Sequence, residues 1–379
     1  MVSTIGILGG GQLARMLAIA GAPLGHRFLV VDSAEDACAA QVAPLMRADW
    51  RDFEALRKFA EQIDVATFDF ENVPSETAEW LTAHTRVFPN PAALAVAQDR
   101  LVEKTLFGEI GLDTPVFAAV DSLADLRAAV DRTGLPAVLK TRRLGYDGKG
   151  QSILRQHSDI EAAWAALGGV PLILEAFVPF ESEMSVIAVR SRSGEFRHYP
   201  LTRNWHRDGI LSASLAPVLV DEDMERRAVA RARALAERLD YVGVFALELF
   251  AWGDRLLGNE MAPRVHNSGH WTIEGTACSQ FENHVRAVLG LPLGDTQAQG
   301  CSAMLNWIGE LPDATPVLAE ARAHWHDYGK SSRPGRKVGH ATLCAASAAE
   351  LIERLQRVGR ALDREDHVAP VIAALEERG

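Results

Sequence analysis

The sequence predicts a mixed α/β fold that is divided into more than one domain. The chain opens with a βαβ pattern, in which an apolar strand over residues 3–8, a glycine turn and a helix over 12–20 lead to a second strand over 27–31. This pattern is typical of a parallel sheet. Further along, two apolar strands with a short turn between them, at residues 242–261, predict an antiparallel hairpin. Because 379 residues exceed what a single core usually supports, we expect two or three domains.

The composition excludes several classes of function. The chain is 48% hydrophobic and 23% charged, as globular proteins are, and its net charge of -11 argues against nucleic-acid binding as the main function. The four cysteines, at positions 38, 278, 301 and 344, lack the spacing of a zinc site or a disulfide framework. The chain begins without a secretory signal pattern, and its apolar runs are shorter than 18 residues. We therefore expect a cytoplasmic protein without a membrane segment.

The first turn of the chain leaves two functions open. Gly9, Gly11 and Ala14, with Asp32 about twenty residues later, fit the dinucleotide-binding fingerprint. An NAD-dependent dehydrogenase is therefore one alternative. The other interpretation is that a doubly wound domain needs small residues at its first turn whatever it binds.

A second candidate region follows the strand predicted over residues 65–70. Glu71 and Asn72 stand at the carboxyl end of this strand, and ligands of open α/β sheets gather at such ends. Gln12, Glu71 and Asn72 are therefore predicted to share one crevice. The alternative is that Glu71 and Asn72 cap the helix that begins near Ser75.

A glycine-rich loop at residues 145–151 is predicted to cover phosphate groups. An apolar strand delivers Lys140, and three glycines then alternate with Tyr146, Asp147 and Lys149. Glycine permits the tight turns that bring backbone N–H groups close to phosphate oxygens. The spacing differs from that of a P-loop, and an ordinary surface hairpin is the alternative. Before this loop, one long helix is predicted over residues 92–110, and its basic residues are expected to be solvated.

The hairpin at residues 242–261 predicts a metal site. If it pivots on residues 253–255, Glu248 lies directly opposite Glu260. Like charges at such positions are destabilising, so a cation is expected between them. With oxygen ligands alone, Mg²⁺ is favoured over zinc, and it commonly bridges carboxylates to nucleotide phosphates. The alternative is that both side chains extend into water, and a one-residue change of register would also separate them.

Two polar segments after the hairpin suggest anion recognition. Residues 262–270 hold Arg264, His266 and Asn267, and an arginine in this place is suited to stabilise developing negative charge. The histidines equally suit capping of a helix predicted to begin near Thr276.

The second segment, at residues 328–337, carries four cations in eight positions and predicts a site for a phosphate monoester, with a solvated basic loop as the alternative. The last forty residues predict a helical run and then an apolar strand.

Taken together, six blocks of sequence resemble the ATP-grasp family of N5-carboxyaminoimidazole ribonucleotide synthetases of purine biosynthesis. They occur in order over nearly the whole chain, at residues 9–16, 70–74, 98–100, 140–151, 259–270 and 333–340. The resemblance implies that ATP, bicarbonate and 5-aminoimidazole ribonucleotide become the N5-carbamate, ADP and phosphate, by way of carboxyphosphate. It also implies a cytoplasmic homodimer with three domains: a Rossmann-like domain over 1–92, an ATP-grasp domain over 93–292 and a small domain over 293–379.

By matching positions, the resemblance also assigns roles to individual residues. Those implied to contact ATP are Arg100, Lys140, Gly145, Tyr146, Asp147, Gly148, Lys149, Gly150, Gln151, Glu175, Ala176, Phe177, Val178, Glu183, His206, Asn259 and Glu260. Those implied to bind the substrates, here called the substrate set, are Gln12, Glu71, Asn72, Arg264, His266, Asn267, Lys330, Arg336 and Lys337.

Catalysis and metal binding follow from the same resemblance. Arg264, Tyr146, Asp147 and Lys149 are implied to act in catalysis, while Glu248 and Glu260 hold Mg²⁺, or Mn²⁺ in its place. The first glycine turn then binds the ribonucleotide rather than NAD. Ala14 and Leu144 depart from the family pattern, because glycine is common at both positions. Alternatives are another ATP-grasp ligase of purine synthesis, such as a formate-dependent glycinamide ribonucleotide transformylase, and a nucleotide sensor without activity.

Overall fold

The computed structural model describes residues 2–145 and 150–377, and its N-terminal part is built on a parallel sheet. The strands are β1 (Thr4–Leu8), β2 (Arg27–Asp32), β3 (Leu45–Arg47), β4 (Val65–Phe68) and β5 (Arg86–Val87), in the order β3-β2-β1-β4-β5. Its helices are α1 (Gln12–Gly21), α2 (Phe53–Ala60) and α3 (Ser75–Thr82). The predicted βαβ opening is therefore present, and the nearly continuous burial of β1 and β4 is typical of a parallel strand covered on both faces.

The next segment contains two helices where the sequence predicts one. These are α4 (Pro91–Ala97) and α5 (Arg100–Glu109). Asp99 separates them because its backbone is extended and its carboxylate accepts a hydrogen bond from Leu101 N at 3.1 Å. The prediction of a continuous helix was wrong because a favourable N-cap residue stands inside the run. As a result, Arg100 becomes the first residue of α5.

A small antiparallel sheet follows and carries the glycine-rich loop. It comprises β6 (Phe117–Val120), β7 (Ala137–Thr141), β8 (Gln151–Leu154) and β9 (Leu172–Ala176), with α6 (Leu123–Thr133) and α7 (Ile160–Leu167) packed on it. The loop connects β7 to β8, and Lys140 pairs with Gln151 across its base. Tyr146, Asp147, Gly148 and Lys149 lie outside the described residues.

A large antiparallel sheet forms the rest of the protein. Its strands are β10 (Ser182–Arg190), β11 (Phe196–His198), β12 (Thr202–Arg207), β13 (Ile210–Ala216), β14 (Gly243–Trp252), β15 (Arg255–Ala262), β16 (Cys301–Ile308), β17 (Ala323–Asp327) and β18 (Lys337–Ala345). They follow the order β15-β14-β10-β12-β13-β16-β18-β17, and β11 pairs with β10. Because β16 pairs with β13, the C-terminal strands extend the same sheet. The division at residues 92 and 292 remains a proposal.

The helices of this part are α8 (Glu222–Arg238), α9 (Thr272–Gly275), α10 (Gln280–Leu289), α11 (Thr315–Leu318), α12 (Ala348–Ala361) and α13 (Glu365–Glu376). The strand predicted near the C-terminus is thus wrong, since α13 occupies that segment. Val368, Val371 and Leu375 are buried at intervals of three and four residues, which is a helical period.

The N-terminal part packs on the large sheet through α1 and α10. Residues of β1, α1 and α10 share one hydrophobic core with strands β10 and β14. Gly21 permits this contact, because a Cβ there would lie 2.3 Å from Phe28 Cζ and 3.4 Å from Val285 Cγ1. None of the helices within residues 2–145 and 150–377 combines the length and the apolar character needed to cross a membrane.

Candidate active site

A cavity of about 890 Å³ opens where the N-terminal sheet, the β14–β15 hairpin and the basic loop before β18 meet. It is lined by every member of the substrate set, namely Gln12, Glu71, Asn72, Arg264, His266, Asn267, Lys330, Arg336 and Lys337. Arg100, Gly145 and Glu260 of the predicted nucleotide contacts also line it. Residues from distant parts of the sequence therefore meet in one crevice.

The first glycine turn forms one wall of the cavity, and its backbone amides are already hydrogen-bonded. Across residues 9–11, the three N–H groups donate to Val31 O at 2.9 Å, Asp32 Oδ2 at 2.6 Å and Asp69 Oδ2 at 2.7 Å. Asp69 also accepts from Ala14 N at 3.3 Å, and burial raises its pKa to about 6. Carboxylates of the chain thus occupy the place where a dinucleotide fold offers its amides to pyrophosphate, which disfavours the NAD alternative.

Glu71 lies at the end of the β4 segment and pairs with Arg264. The guanidinium Nε donates to Glu71 Oε2. Burial acts against ionisation of Glu71, but Arg264 lowers its pKa below the ordinary value. The alternative that Glu71 and Asn72 cap α3 is wrong, because that helix begins after Pro74 without a side-chain cap. The Glu71–Arg264 ion pair therefore connects the end of β4 to the segment after β15.

The basic loop before β18 closes the opposite side of the cavity. Lys330 donates to the side-chain oxygen of Gln12, which connects this loop to the start of α1, and burial lowers the pKa of Lys330. Arg336 donates to Ser331 Oγ at 2.7 Å. Arg333, the fourth cation of the predicted phosphate site, also lines the cavity, although the family resemblance assigned no role to it. All four cations line the cavity; Lys330, Arg336 and Lys337 are partly buried there, whereas Arg333 is exposed.

The β14–β15 hairpin brings Glu248 opposite Glu260, but through a different register from the predicted one. The turn consists of Gly253 and Asp254, since Trp252 pairs with Arg255. If the pairing seen near the turn continued unchanged along β15, Glu260 would lie opposite residue 247. A shift between Glu248 and Leu249 adds one residue to β15, at Asn259, and restores the pairing. The pivot in the prediction was wrong, and a β-bulge compensates for it.

The two carboxylates are held in a charged environment. Glu248 Oε1 lies 3.2 Å from His266 Nε2, and Glu260 Oε2 lies 3.0 Å from a guanidinium nitrogen of Arg100. Burial, and then the charge of Glu260, raise the pKa of Glu248 to about 8. Glu248 is only 8% exposed, so the alternative of two carboxylates extended into water is wrong for it.

This donor set suits a hard cation that completes its coordination elsewhere. Within the described residues, no group of three or more His, Cys, Asp and Glu side chains is arranged to hold a metal ion. Two carboxylates are what Mg²⁺ commonly takes from a protein when phosphates and water supply its other ligands. A cation near Glu248 would also relieve the repulsion that raises the pKa of this carboxyl group.

His266 and Asn267 are positioned by the short helical turn that follows β15. His266 Nδ1 accepts from Ser268 N at 3.4 Å, so this ring caps the turn at 267–269. Helix α10 begins later, with Ser279 as its cap, so the prediction that histidines cap a helix near Thr276 was wrong. Burial lowers the pKa of His266 well below its usual range, which keeps the ring neutral.

The remaining predicted ATP contacts lie beside the cavity, on β7, β9, β10 and β12. Lys140 Nζ is 2.9 Å from Glu175 Oε2, and the buried Lys104 is 3.5 Å from the same atom. Burial acts to raise the pKa of Glu175, but the charges of Lys104 and Lys140 outweigh burial and lower this pKa to about 2. Glu183 Oε2 lies 3.0 Å from His206 Nδ1 and raises the pKa of that ring against the effect of burial. The expectation that Lys104 is solvated was wrong.

The other predicted ATP contacts sit around these pairs. Ala176 ends β9 and is followed by the exposed Phe177 and the buried Val178. Gly150 precedes β8, Gln151 begins it, and Asn259 is in the bulge of β15. Arg100 links this group to the glycine-rich loop, because it donates to Gly145 O at 3.2 Å. Leu144, where the family often has glycine, adopts a left-handed backbone with φ of 62°.

Sequence reasoning missed two buried carboxylates at this site, Asp69 and Glu103. Asp69 interrupts an otherwise apolar strand, and that interruption is a signal in the sequence. Glu103 stands in an ordinary helical pattern and carries no such signal. It is 2% exposed and accepts from Met261 N at 2.6 Å, and burial, then Glu260, raise its pKa to about 8.

Three family models match successive parts of the chain between residues 2 and 354. The ribonucleotide synthetase preATP-grasp domain matches residues 2–98, and the ATP-grasp domain matches residues 105–281. The phosphoribosylaminoimidazole carboxylase C-terminal domain matches residues 302–354. The predicted fold class is thereby confirmed.

Individual relatives agree with these matches. An N5-carboxyaminoimidazole ribonucleotide synthase from Pseudomonas aeruginosa is 55% identical over 359 residues, which cover 93% of this chain and 98% of that protein. The crystal structure of the synthetase from Thermus thermophilus matches with a TM-score of 0.91 and 54% identity, over 94% of this chain and 98% of that one.

A third relative was crystallised with ligands. The N5-carboxyaminoimidazole synthase of Aspergillus clavatus, in complex with ADP and 5-aminoimidazole ribonucleotide, matches with a TM-score of 0.89 and 31% identity, over 96% of this chain and 99% of that one. Because relatives of this similarity cover nearly the whole chain, the chain belongs to the N5-carboxyaminoimidazole ribonucleotide synthase family of ATP-grasp enzymes.

Proposed function

We propose that this chain carboxylates 5-aminoimidazole ribonucleotide with bicarbonate at the expense of ATP, giving N5-carboxyaminoimidazole ribonucleotide, ADP and phosphate. The observation that carries the proposal is the single cavity lined by the whole substrate set together with Arg100, Gly145 and Glu260. Further support comes from the relative crystallised with ADP and 5-aminoimidazole ribonucleotide.

The ribonucleotide is proposed to lie with its phosphate on the basic loop. Lys330, Arg336 and Lys337 line the cavity there and supply positive charge for a phosphate monoester. Gln12 and Asn72 line the adjoining wall, where their amides suit the ribose and base. The phosphate does not need the first glycine turn, because the amides of that turn are already bound to carboxylates and a carbonyl.

ATP is proposed to lie between the small sheet and the hairpin. Lys140 and Arg100 are charged groups for its phosphates, and Glu175 has one buried oxygen without a hydrogen-bond partner among the described residues. Mg²⁺, or Mn²⁺ in its place, would be held by Glu248 and Glu260 and would neutralise phosphate charge when bound. The proposed contacts at Tyr146, Asp147, Gly148 and Lys149 lie outside the described residues.

The proposed chemistry has two steps. A bicarbonate oxygen attacks the γ-phosphorus, the bond to ADP breaks, and carboxyphosphate forms. Carboxyphosphate then releases phosphate and CO₂, and the exocyclic amine bonds to the CO₂ carbon and loses a proton. Arg264 is proposed to neutralise charge that develops in these steps, since it lines the cavity and Glu71 fixes its orientation. Catalysis is then mainly positioning and electrostatics.

Phosphate release with each substrate omitted in turn tests the proposal. We expect release to require ATP, bicarbonate and the ribonucleotide together. ATP hydrolysis that is indifferent to the aminoimidazole ribonucleotide would exclude the assignment. Formate active in place of bicarbonate would favour the transformylase alternative, and ATP binding without phosphate release would favour a sensor.

A matched pair of variants tests the metal role. Glu260→Gln is expected to slow phosphate release roughly 100-fold or more, because it removes a charge that serves the transition state. Glu54→Gln is the control, since this side chain is 84% exposed in α2. Full activity of Glu260→Gln would contradict the metal role. A homodimeric state and a cytoplasmic location remain part of the proposal, and light scattering tests the first.

A further inference from the structure

Strand β15 is an edge strand, and backbone groups on its outer side are bound by α5 and the segment after it, where Asp113 O accepts from Gly258 N at 2.7 Å. It stands at the end of the large sheet and pairs with β14. On the outer side, Lys104 Nζ donates to Gly258 O at 3.4 Å and to Asn259 O at 3.0 Å. Met261 N donates to Glu103 Oε1 at 2.6 Å. Two consecutive side chains of one helix thus bind backbone groups of residues 258, 259 and 261 of the strand.

These contacts fall on the bulge that aligns the two carboxylates. Asn259 is the additional residue that moves Glu260 into register with Glu248. Without it, Glu260 would shift by one position, and its side chain would point to the opposite face of the sheet. A bulge disrupts the regular ladder and leaves backbone groups unpaired, so it needs other partners. Glu103 and Lys104 supply these partners.

The packing leaves α5 little freedom to move away from the strand. A Cβ on Gly258 would lie 2.8 Å from both Leu112 Cδ2 and Phe107 Cδ2, so the helix and the segment after it approach the strand at its glycine. Glu103 and Lys104 are 2% and 1% exposed, and buried charges are costly unless they are paired. Apolar side chains in place of Glu103 and Lys104 would fill the same space, but they would leave backbone groups of the bulge without hydrogen-bond partners.

We propose that Glu103 and Lys104 are positioning residues that hold the β15 bulge, so that Glu260 faces the nucleotide beside Glu248. The metal-ligand part of this inference rests on the proposed function. Lys104 also lies 3.5 Å from Glu175, so the same helix ties the bulge to the small sheet. Glu103 and Lys104 therefore act on the reaction through the geometry of Glu260.

The first test is amide hydrogen exchange on the intact chain. Glu103→Met removes the acceptor of Met261 N, and we expect exchange in residues 258–261 to rise about tenfold or more, the factor for a buried N–H that loses its partner. Glu103→Gln keeps an acceptor oxygen and should restore most of the protection. Val102→Ala is the matched control, because Val102 stands on the exposed face of the same helix.

The second test is binding of Mn²⁺ in the presence of ADP, measured by electron paramagnetic resonance. Glu103→Met and Lys104→Met should each weaken Mn²⁺ binding about tenfold, whereas Glu103→Gln and Val102→Ala should bind as the wild type does. The kcat for phosphate release should fall with binding, while the KM for the ribonucleotide changes little.

Each outcome has a defined meaning. Normal Mn²⁺ binding with unchanged exchange in 258–261, in either methionine variant, would overturn the proposal even if stability falls. If Glu103→Met does not fold, Lys104→Met and the milder Glu103→Asp decide the question by the same measurements. If wild-type phosphate release proves indifferent to the ribonucleotide, the proposed function fails, but exchange and Mn²⁺ binding still decide the role of the two residues.

Discussion

The buried ring of His284 should make the stability of this protein depend on pH. Thr67 Oγ1 lies 2.7 Å from Nε2, and Val244 N donates to Nδ1 at 3.0 Å. The ring therefore joins β4 of the N-terminal sheet to β14 of the large sheet as a neutral group, with Nδ1 as acceptor. Burial lowers its pKa from 6.5 to about 4. Protonation of Nδ1 would remove the bond to Val244 and place a charge in the core.

The direction and size of the effect follow from these two pKa values. Above pH 6.5 the ring is neutral in both the folded and the unfolded chain, so its contribution to stability is fully present. As the pH falls from 6.5 towards 4, His284 binds a proton in the unfolded chain but stays neutral in the folded protein. At about 1.4 kcal/mol per pH unit, the free energy of unfolding falls by about 2 kcal/mol between about pH 7.5 and pH 5.

Urea denaturation at these two pH values, on the wild type and on His284→Asn, isolates this contribution. The asparagine oxygen can keep the hydrogen bond from Val244 N but gains no proton in this range. The wild type should lose about 2 kcal/mol more than the variant, whatever the variant costs at neutral pH. His157→Asn, which removes an exposed ring, should behave like the wild type. Equal losses in the wild type and His284→Asn would refute the reasoning.

Three other changes test separate parts of the structure. Gly6→Ala places a Cβ 2.5 Å from Phe59 Cζ, and because this ring is fully buried, urea denaturation should show a loss of about 1–3 kcal/mol; unchanged stability would contradict the packing. Asn204→Leu removes the buried bonds to Ser185 Oγ at 2.7 Å and from Ser214 Oγ at 2.8 Å and should cost about 1–3 kcal/mol in the same assay, whereas Asn204→Asp keeps the acceptor for Ser214. Arg336→Ala should raise the KM for the ribonucleotide about 10-fold to 100-fold and leave the KM for ATP unchanged; an equal effect on both would argue against a phosphate contact.

Local pattern was sufficient for most of the elements but not for the hairpin register. The facing of Glu248 and Glu260 was predicted from a turn one residue too long, 253–255 instead of 253–254, and the pairing agreed because Asn259 forms a bulge. The bulge depends on Glu103 and Lys104, more than 150 residues earlier in the chain. Periodicity within the hairpin carries no information about such partners. The sequence therefore predicted that Glu248 faces Glu260, but not the bulge that brings them together.

The C-terminal segment shows a different limit. An apolar stretch was predicted as a strand, although its buried positions recur at helical spacing in α13. Short apolar runs are ambiguous between the two structures, and packing on the large sheet decides between them.

The sequence by itself determined the family, because six motif blocks in order include the glycine turn, the loop at 145–151, Glu260 of the hairpin and part of the basic loop before β18. Only the tertiary structure decided how the charges of the site are used. Asp69 binds the amides of the first turn, Arg264 is paired with Glu71, and Lys104 is buried against the bulge. The physical reason is that residue type sets what a side chain can bind, whereas burial and partners distant in the chain set what it does bind.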